Sequence, residues 1–327
     1  MNLSLLKQDG SSYDITDAVT RIEWSGSASQ AARQLSFDYV NAPFDGYGLP
    51  AVSTGDVVSF TPEGEEVFYG QIFGSEKSSA VGTITFTAYD MMKNLLESTG
   101  QYNFKNVTPE AIAQKVCSDA QIPIQSVYGT GINIASMLCD DMSLYDVIMA
   151  AYTKAYRITG DKYFPMIYQR GFGVYKAEWI VAGYTISDDD NMMSASISES
   201  MDSIVNQVKI YDSNGNQIGE VKDADSQSIY GVFQQVYEQE EGVNPQSGAQ
   251  ALMSVNPAQT IKISAVGDPN CLSCYFVLVS DASTGLAGKY WISSDRHVWE
   301  NNAHTMELEL KFDSIMEEVE ASTEEAS

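Results

Sequence analysis

The sequence predicts a β-rich α+β chain in which two related β-regions flank a small α/β module. Three observations carry this. Short alternating stretches broken by turn residues fill the first 95 or so residues and return after residue 196, whereas the apolar period between them is helical. Hydrophobic residues make up 44% and aromatics 11%, enough for packed cores. Finally, Tyr69–Asp90 echoes Ala287–Asp313. Each has a glycine, an apolar-aromatic strand and a small-small-acid-base step (Gly74-Ser75-Glu76-Lys77; Ser293-Ser294-Asp295-Arg296). A polar loop follows, then an alternating strand opening on threonine. The expected divisions are a β-domain at 1–95, an α/β insert with its linker at 96–195, a second β-domain at 196–313 with a helical insertion near 245–256, and a disordered acidic tail at 314–327.

In the first region Ile22 and Trp24 start a strand, and Leu35, Phe37 and Tyr39 alternate with Ser36 and Asp38. Val67–Phe73 and Thr83–Ala88 supply further strands. In the middle region Thr108-Pro109-Glu110 starts a helix, with an N-cap hydroxyl, proline at the first helical position and an acid in the first turn. Ser143 is a second N-cap, ahead of the apolar stripe Leu144, Val147, Ile148 and Ala151. Short strands are expected at Tyr163–Tyr168 and Phe172–Tyr175, and a linker back to β structure over 176–200, with a short strand at Ala195–Glu199. Asn214-Gly215 between apolar runs marks a hairpin. Asn244-Pro245 opens a third helix, expected to carry Leu252 and Met253. In the final hairpin Met306, Leu308, Leu310 and Phe312 face a core, while Asp295 to Ala303 reads as a polar loop ending in the turn-like Asn301-Asn302.

Eighteen Lys and Arg against 44 Asp and Glu give a net charge of −26, which argues against general nucleic-acid binding. No basic region followed by an apolar run stands at the N-terminus, so no secretion signal is expected, nor is any stretch long enough for a membrane span. The four cysteines do not suggest a disulfide framework.

Candidate chemistry is sparse. Cys271 and Cys274 have zinc-knuckle spacing, with His297 and His304 downstream, but such a site wants closer histidines, so zinc is the minor alternative to two small apolar residues. Carboxylate pairs such as Asp140-Asp141 and Asp188–Asp190 are expected in a chain this acidic without catalysis. Asp212-x-Asn214-Gly215-Asn216 looks like a calcium loop but lacks the glutamate at position 12. No phosphate loop, dinucleotide fingerprint or serine elbow occurs. No enzyme, cofactor or catalytic residue is expected.

One resemblance spans nearly the whole chain. Ile22-Glu23-Trp24-Ser25-Gly26, Ala31-Ala32-Arg33-Gln34-Leu35-Ser36-Phe37, Gly55-Asp56-Val57-Val58 and Phe68-Tyr69-Gly70-Gln71-Ile72-Phe73 come first. Thr87-Ala88-Tyr89-Asp90, the helix after Thr108, Ser203–Tyr211 and the Gly288–Phe312 hairpin follow in order. The chain thus resembles the baseplate hub proteins of contractile phage tails and phage-tail-like bacteriocins, of the PBSX-type tail hub family. That resemblance implies two tube-like antiparallel β-barrel domains per chain and a structural homotrimer. Its six β-domains would join a hexameric tail tube protein to a trimeric central spike protein, with baseplate wedge and tape-measure proteins nearby. It further implies a virion or tail-like particle assembled in the host bacterial cytoplasm, with DNA at most passing through the lumen. The competing expectation is a secreted or surface carbohydrate-binding or carbohydrate-cleaving β-protein, with Tyr290, Trp291 and Trp299 stacking on sugars.

Overall fold

A computed structural model describes residues 1–41, 48–77, 82–168, 170–239 and 244–321. The chain is β-rich, with several sheets and few helices. The first region holds β1 (Asn2–Leu6), β2 (Ser12–Asp14), β3 (Val19–Ser27), β4 (Gln30–Val40), β5 (Val57–Thr61), β6 (Phe68–Lys77) and β7 (Thr83–Asp90). The middle adds α1 (Met92–Glu97), β8 (Thr99–Val107), α2 (Pro109–Asp119), β9 (Ile124–Val127), β10 (Ile134–Ser143), α3 (Leu144–Thr159), β11 (Tyr163–Tyr168) and β12 (Gly171–Lys176). Then come β13 (Ile180–Ser187), β14 (Met192–Ser200), β15 (Gln207–Tyr211), β16 (Gln217–Lys222), α4 (Ala224–Tyr230), β17 (Gln234–Glu238) and α5 (Pro245–Ala251). The chain closes with β18 (Ala258–Val266), β19 (Phe276–Asp281), β20 (Leu286–Glu300) and β21 (Ala303–Lys311).

Two compact units result: residues 1–195 with 262–327, and residues 196–261. The two expected β-regions contribute strands to one 13-stranded sheet. Its strand order explains the sequence echo. The first half runs β3-β4-β7-β6-β5-β1, and the second runs β14-β18-β21-β20-β19-β13. Read in chain order, the six strands of each half occupy the same sheet positions, so the second half repeats the topology of the first. Both repeats also shift register at the same place, between Ile72 and Gly74 in β6 and between Ile292 and Ser294 in β20. One pairing differs: β1 is antiparallel to β5, whereas β13 is parallel to β19. The segment 91–176 stands between the repeats in sequence, and 201–257 is inserted between β14 and β18.

The helix starts form as the capping chemistry dictates. Thr108 and Ser143 accept hydrogen bonds from the backbone N–H groups of Ala111 and Asp146, and Pro109 begins α2. The α2 and α3 stripes, Ile112, Val116, Leu144, Val147, Ile148 and Ala151, bury against Met137, Tyr163 and Phe172 in one core. In the smaller unit Val208, Ile210, Val221, Tyr237 and Ala249 form the core. The Asp212 carboxylate accepts from Asn214 N and Asn216 N, so the calcium-like motif is a turn, with Gly215 at φ 80°. The third helix ends at Ala251, with Leu252 as its C-cap and Met253 packed on the core beyond it.

Several expectations are corrected. In 176–200 the short strand expected at Ala195–Glu199 is part of β14, but Ile180–Ser187, expected in the linker, forms β13. Asp295 to Glu300, expected in a loop, continue β20; only Asn301 and Asn302, both at positive φ, make the turn. The polar letters there hide a second period-2 face, Asp295-His297-Trp299, all buried. Met306, Leu308 and Leu310 are buried as expected, but Phe312 lies past the strand and is 56% exposed.

The acidic C-terminus is also not free over its described part. Residues 314–321 lie along the α/β module, with Met316, Val319 and Ala321 on its core. Lys162 donates to Ser314 O, the Tyr145 hydroxyl to Glu317 (2.9 Å), and Val319 N to Thr153 Oγ1 (3.1 Å); Arg157 pairs with Glu318 and Glu320. Residues 322–327 lie outside the described residues. Truncation after Asp313 is expected to cost about 2–4 kcal/mol, from three partly buried apolar side chains. Urea unfolding reads this directly, and an unchanged midpoint would contradict the docked strap.

Candidate functional site: the seam between the two β-repeats

The repeats join where β20 meets β3 antiparallel, with Asp295 opposite Gly26, His297 opposite Trp24 and Trp299 opposite Ile22. The bulge after Ile292 hands β20 from β19, which covers Leu286–Trp291, to β3, which covers Ser294–Glu300. Polar groups lie inside this joint. Arg33 of β4 reaches across to Asp295, Nη1 donating to Oδ1 at 3.0 Å and Nη2 to Oδ2. The guanidinium rests 4.1 Å from the Trp24 ring centroid, and Nη1 also donates to Ser273 Oγ at 3.3 Å. Asp295 takes a further bond from Ser273 N at 2.6 Å. Close approach is possible because residue 26 is glycine: a Cβ there would fall 2.4 Å from Arg33 Nη1. Burial would raise the Asp295 carboxyl, but the charge and hydrogen bonds of Arg33 outweigh it and hold the pKa low.

A second carboxylate, Asp90, accepts from Arg33 N (3.2 Å) and Met92 N (3.0 Å). Desolvation dominates there and lifts its pKa to about 7.

Both histidines belong to the seam. His297 Nε2 lies 3.1 Å from Cys271 O, and a carbonyl only accepts, so Nε2 carries the proton. Its Nδ1 then accepts from His304 Nε2 at 3.1 Å, which leaves His304 Nδ1 a buried lone pair without a partner. Trp299 stacks on His304 with centroids 3.9 Å apart, and Gly267 backs the ring so closely that a Cβ would fall 2.3 Å from it. Desolvation lowers both histidines: His297 despite Asp295 nearby, and His304 to about 3, with His297 adding to the effect.

The structure brings His297 and His304 together but as a neutral hydrogen-bonded pair. Among the described residues, no group of three or more His, Cys, Asp or Glu is arranged to hold a metal ion. Cys271 contributes its carbonyl, and burial pushes the thiols of both Cys271 and Cys274 up, the latter to about 12. Neither is a ready ligand or nucleophile. The sugar platform expected of Tyr290, Trp291 and Trp299 is corrected: all three are buried, Trp291 completely. Arg33, Asp90 and Asp295 stand in the motifs quoted above but were not singled out as site residues by sequence. The available signal was the one basic residue of β4, next to Ala31-Ala32, and an acid in phase with His297 and Trp299.

A profile of the family described as YQBQ-like matches residues 22–311. A Bacillus subtilis (strain 168) protein described as uncharacterized YqbQ is 30% identical over 88% of this chain and 90% of its own length. The phage-like element PBSX protein XkdQ of the same organism is 28% identical over 91% and 93%. Among solved structures, the 43 kDa tail protein of prophage MuSo2 from Shewanella oneidensis superposes with a TM-score of 0.73, at 16% identity, over 95% of this chain and 96% of that one.

Proposed function

Because this chain belongs to the YQBQ-like family and is a phage-tail-like structural protein, we propose that it is the baseplate hub of a contractile tail or tail-like particle. In this reading it works as a homotrimer between a hexameric tail tube and a trimeric central spike. The observation that carries the reading is the repeated strand order of the 13-stranded sheet. Two equivalent β-units per chain let three chains offer six, so a threefold assembly meets a sixfold one without a symmetry gap. Its chemistry agrees: the histidines and buried acids at the seam are held in structural hydrogen bonds, the thiols beside them are buried, and the role proposed is non-enzymatic. Wedge and tape-measure proteins are further proposed partners, with assembly in the host cytoplasm. The charge of −26 suits a lumen through which a phosphate backbone passes without sticking. Native mass spectrometry of the purified chain tests the reading. A species of three times 35.8 kDa that binds the tube protein encoded beside it is expected; a monomer that ignores that protein would overturn it.

A further inference from the structure

The smaller unit, residues 196–261, leaves large apolar side chains in the open where α4 runs into β17. Ile229 is 70% exposed, Val232 62% and Val236 54%, with Phe233 between them at 39%. Exposed apolar clusters of this kind mark contact surfaces. The turn that carries them is fixed from below. Asn206, fully buried, donates from Nδ2 to Gly231 O at 2.7 Å and to Ser226 Oγ at 3.3 Å, and its Oδ1 accepts from Phe233 N at 2.8 Å. Gly231, at φ 84°, makes so short a connection possible. Side chains already ordered in this way lose little entropy when a partner covers them.

The strand that follows has an open edge. The unit's sheet runs β16-β15-β17, so among the described residues β17 has a neighbour on one side only. Phe233 O accepts from Gln207 N, and Gln239 N donates to Tyr211 O, both towards β15. Backbone groups alternate sides along a strand, so the N–H and C=O of Gln234, Val236 and Glu238 point to the open edge.

Charge selects what can approach. Residues 196–261 carry nine Asp and Glu against two Lys, and Lys222 is held by Glu220 at 2.7 Å. A second copy of this chain, with its net charge of −26, is repelled, as are an anionic lipid surface and a nucleic acid. An extended segment in which Lys or Arg alternates with apolar residues meets every feature. Its backbone completes the edge, its apolar side chains cover the turn and its cations face the acids.

We propose that β17 accepts a fourth strand from another protein, an extended segment of alternating apolar and basic residues, with Val232 and Val236 as its apolar anchors. The inserted unit is then a docking module, and this holds whether or not the chain forms a trimer.

The probe is a short synthetic peptide alternating valine and lysine, titrated calorimetrically into the full chain beside a valine–glutamate counterpart. Two variants that leave the charge unchanged separate docking from general attraction to an acidic protein. Val232→Ser removes an exposed anchor, and Val236→Pro removes an outward N–H while sparing the ladder to β15. Each is expected to weaken binding of the lysine peptide at least about tenfold with an unchanged circular dichroism spectrum. The glutamate peptide is expected not to bind. Hydrogen exchange on the unsubstituted protein needs no variant: the peptide should slow the outward amides of Gln234, Val236 and Glu238, whereas those of Gln235 and Tyr237 are protected already. A lysine peptide that fails to bind, that binds parent and variants equally, or that leaves the outward amides fast overturns the proposal, as does equal binding of the two peptides.

Discussion

Asp295→Ala is expected to destabilise the protein by about 3–5 kcal/mol, the cost of stranding one partner of a buried ion pair. The carboxylate has no exposed surface, and its removal leaves the Arg33 guanidinium without its bidentate acceptor and Ser273 N without a partner. At roughly 2–4 °C per kcal/mol for a domain of this size, the melting temperature should fall by about 6–20 °C. The pair itself adds little over an apolar joint, because desolvating two charges consumes most of their attraction. The double replacement Arg33→Met with Asp295→Leu is therefore expected to lie within about 2 kcal/mol of the parent. Thermal melts of the three proteins decide the matter. A single variant as stable as the parent, or a double variant as damaged as the single, would show that the pair does not anchor the seam.

The second large effect is a pair of opposed pH dependences. His304 has a folded pKa of about 3 against an ordinary 6.5. The unfolded chain therefore binds the extra proton first, and stability is lost as pH falls from about 6.5 toward 3. The full shift corresponds to about 5 kcal/mol, reduced to about 2–3 because the ring is partly open to solvent. Asp90 has the opposite sign. Its folded pKa of about 7 lies above the ordinary 3.8, so the stability it contributes is present below 3.8 and lost as pH rises toward 7. Between pH 4 and 6.5 the two slopes cancel in part. His304→Gln should leave a protein that loses stability with rising pH across that window, and Asp90→Asn one that loses it with falling pH. Urea midpoints at four or five pH values measure both slopes, and equal slopes in the two variants would refute the assignment.

Much of the fold was legible because local chemistry and tertiary structure agree. Thr108-Pro109 and Ser143 cap helices in any context, and Asn214-Gly215 turns a chain wherever it is flanked by strand formers. Legibility failed where a strand face carried unusual letters. Asp295, His297 and Trp299 alternate as cleanly as Met306, Leu308 and Leu310, yet an acid and a histidine read as surface until Arg33 and His304 stand opposite them. The strap failed for a similar reason: Met316 and Val319 are too sparse among glutamates to announce a docked segment, and only Arg157, Lys162 and Thr153 give them somewhere to bind.

The sequence by itself determined the β-rich class, the helical module between two β-regions and the echo between two hairpins, since each follows from periodicity and turn chemistry within a short window. Only the tertiary structure decided that the two β-regions share a sheet, that His297 and Asp295 are sealed in its seam with His304 half-buried beside them, and that six strands repeat in the same order. Those facts depend on partners far apart in the chain, Arg33 with Asp295 and Trp24 with His297. Pairing energy between distant strands leaves no mark on either strand read alone.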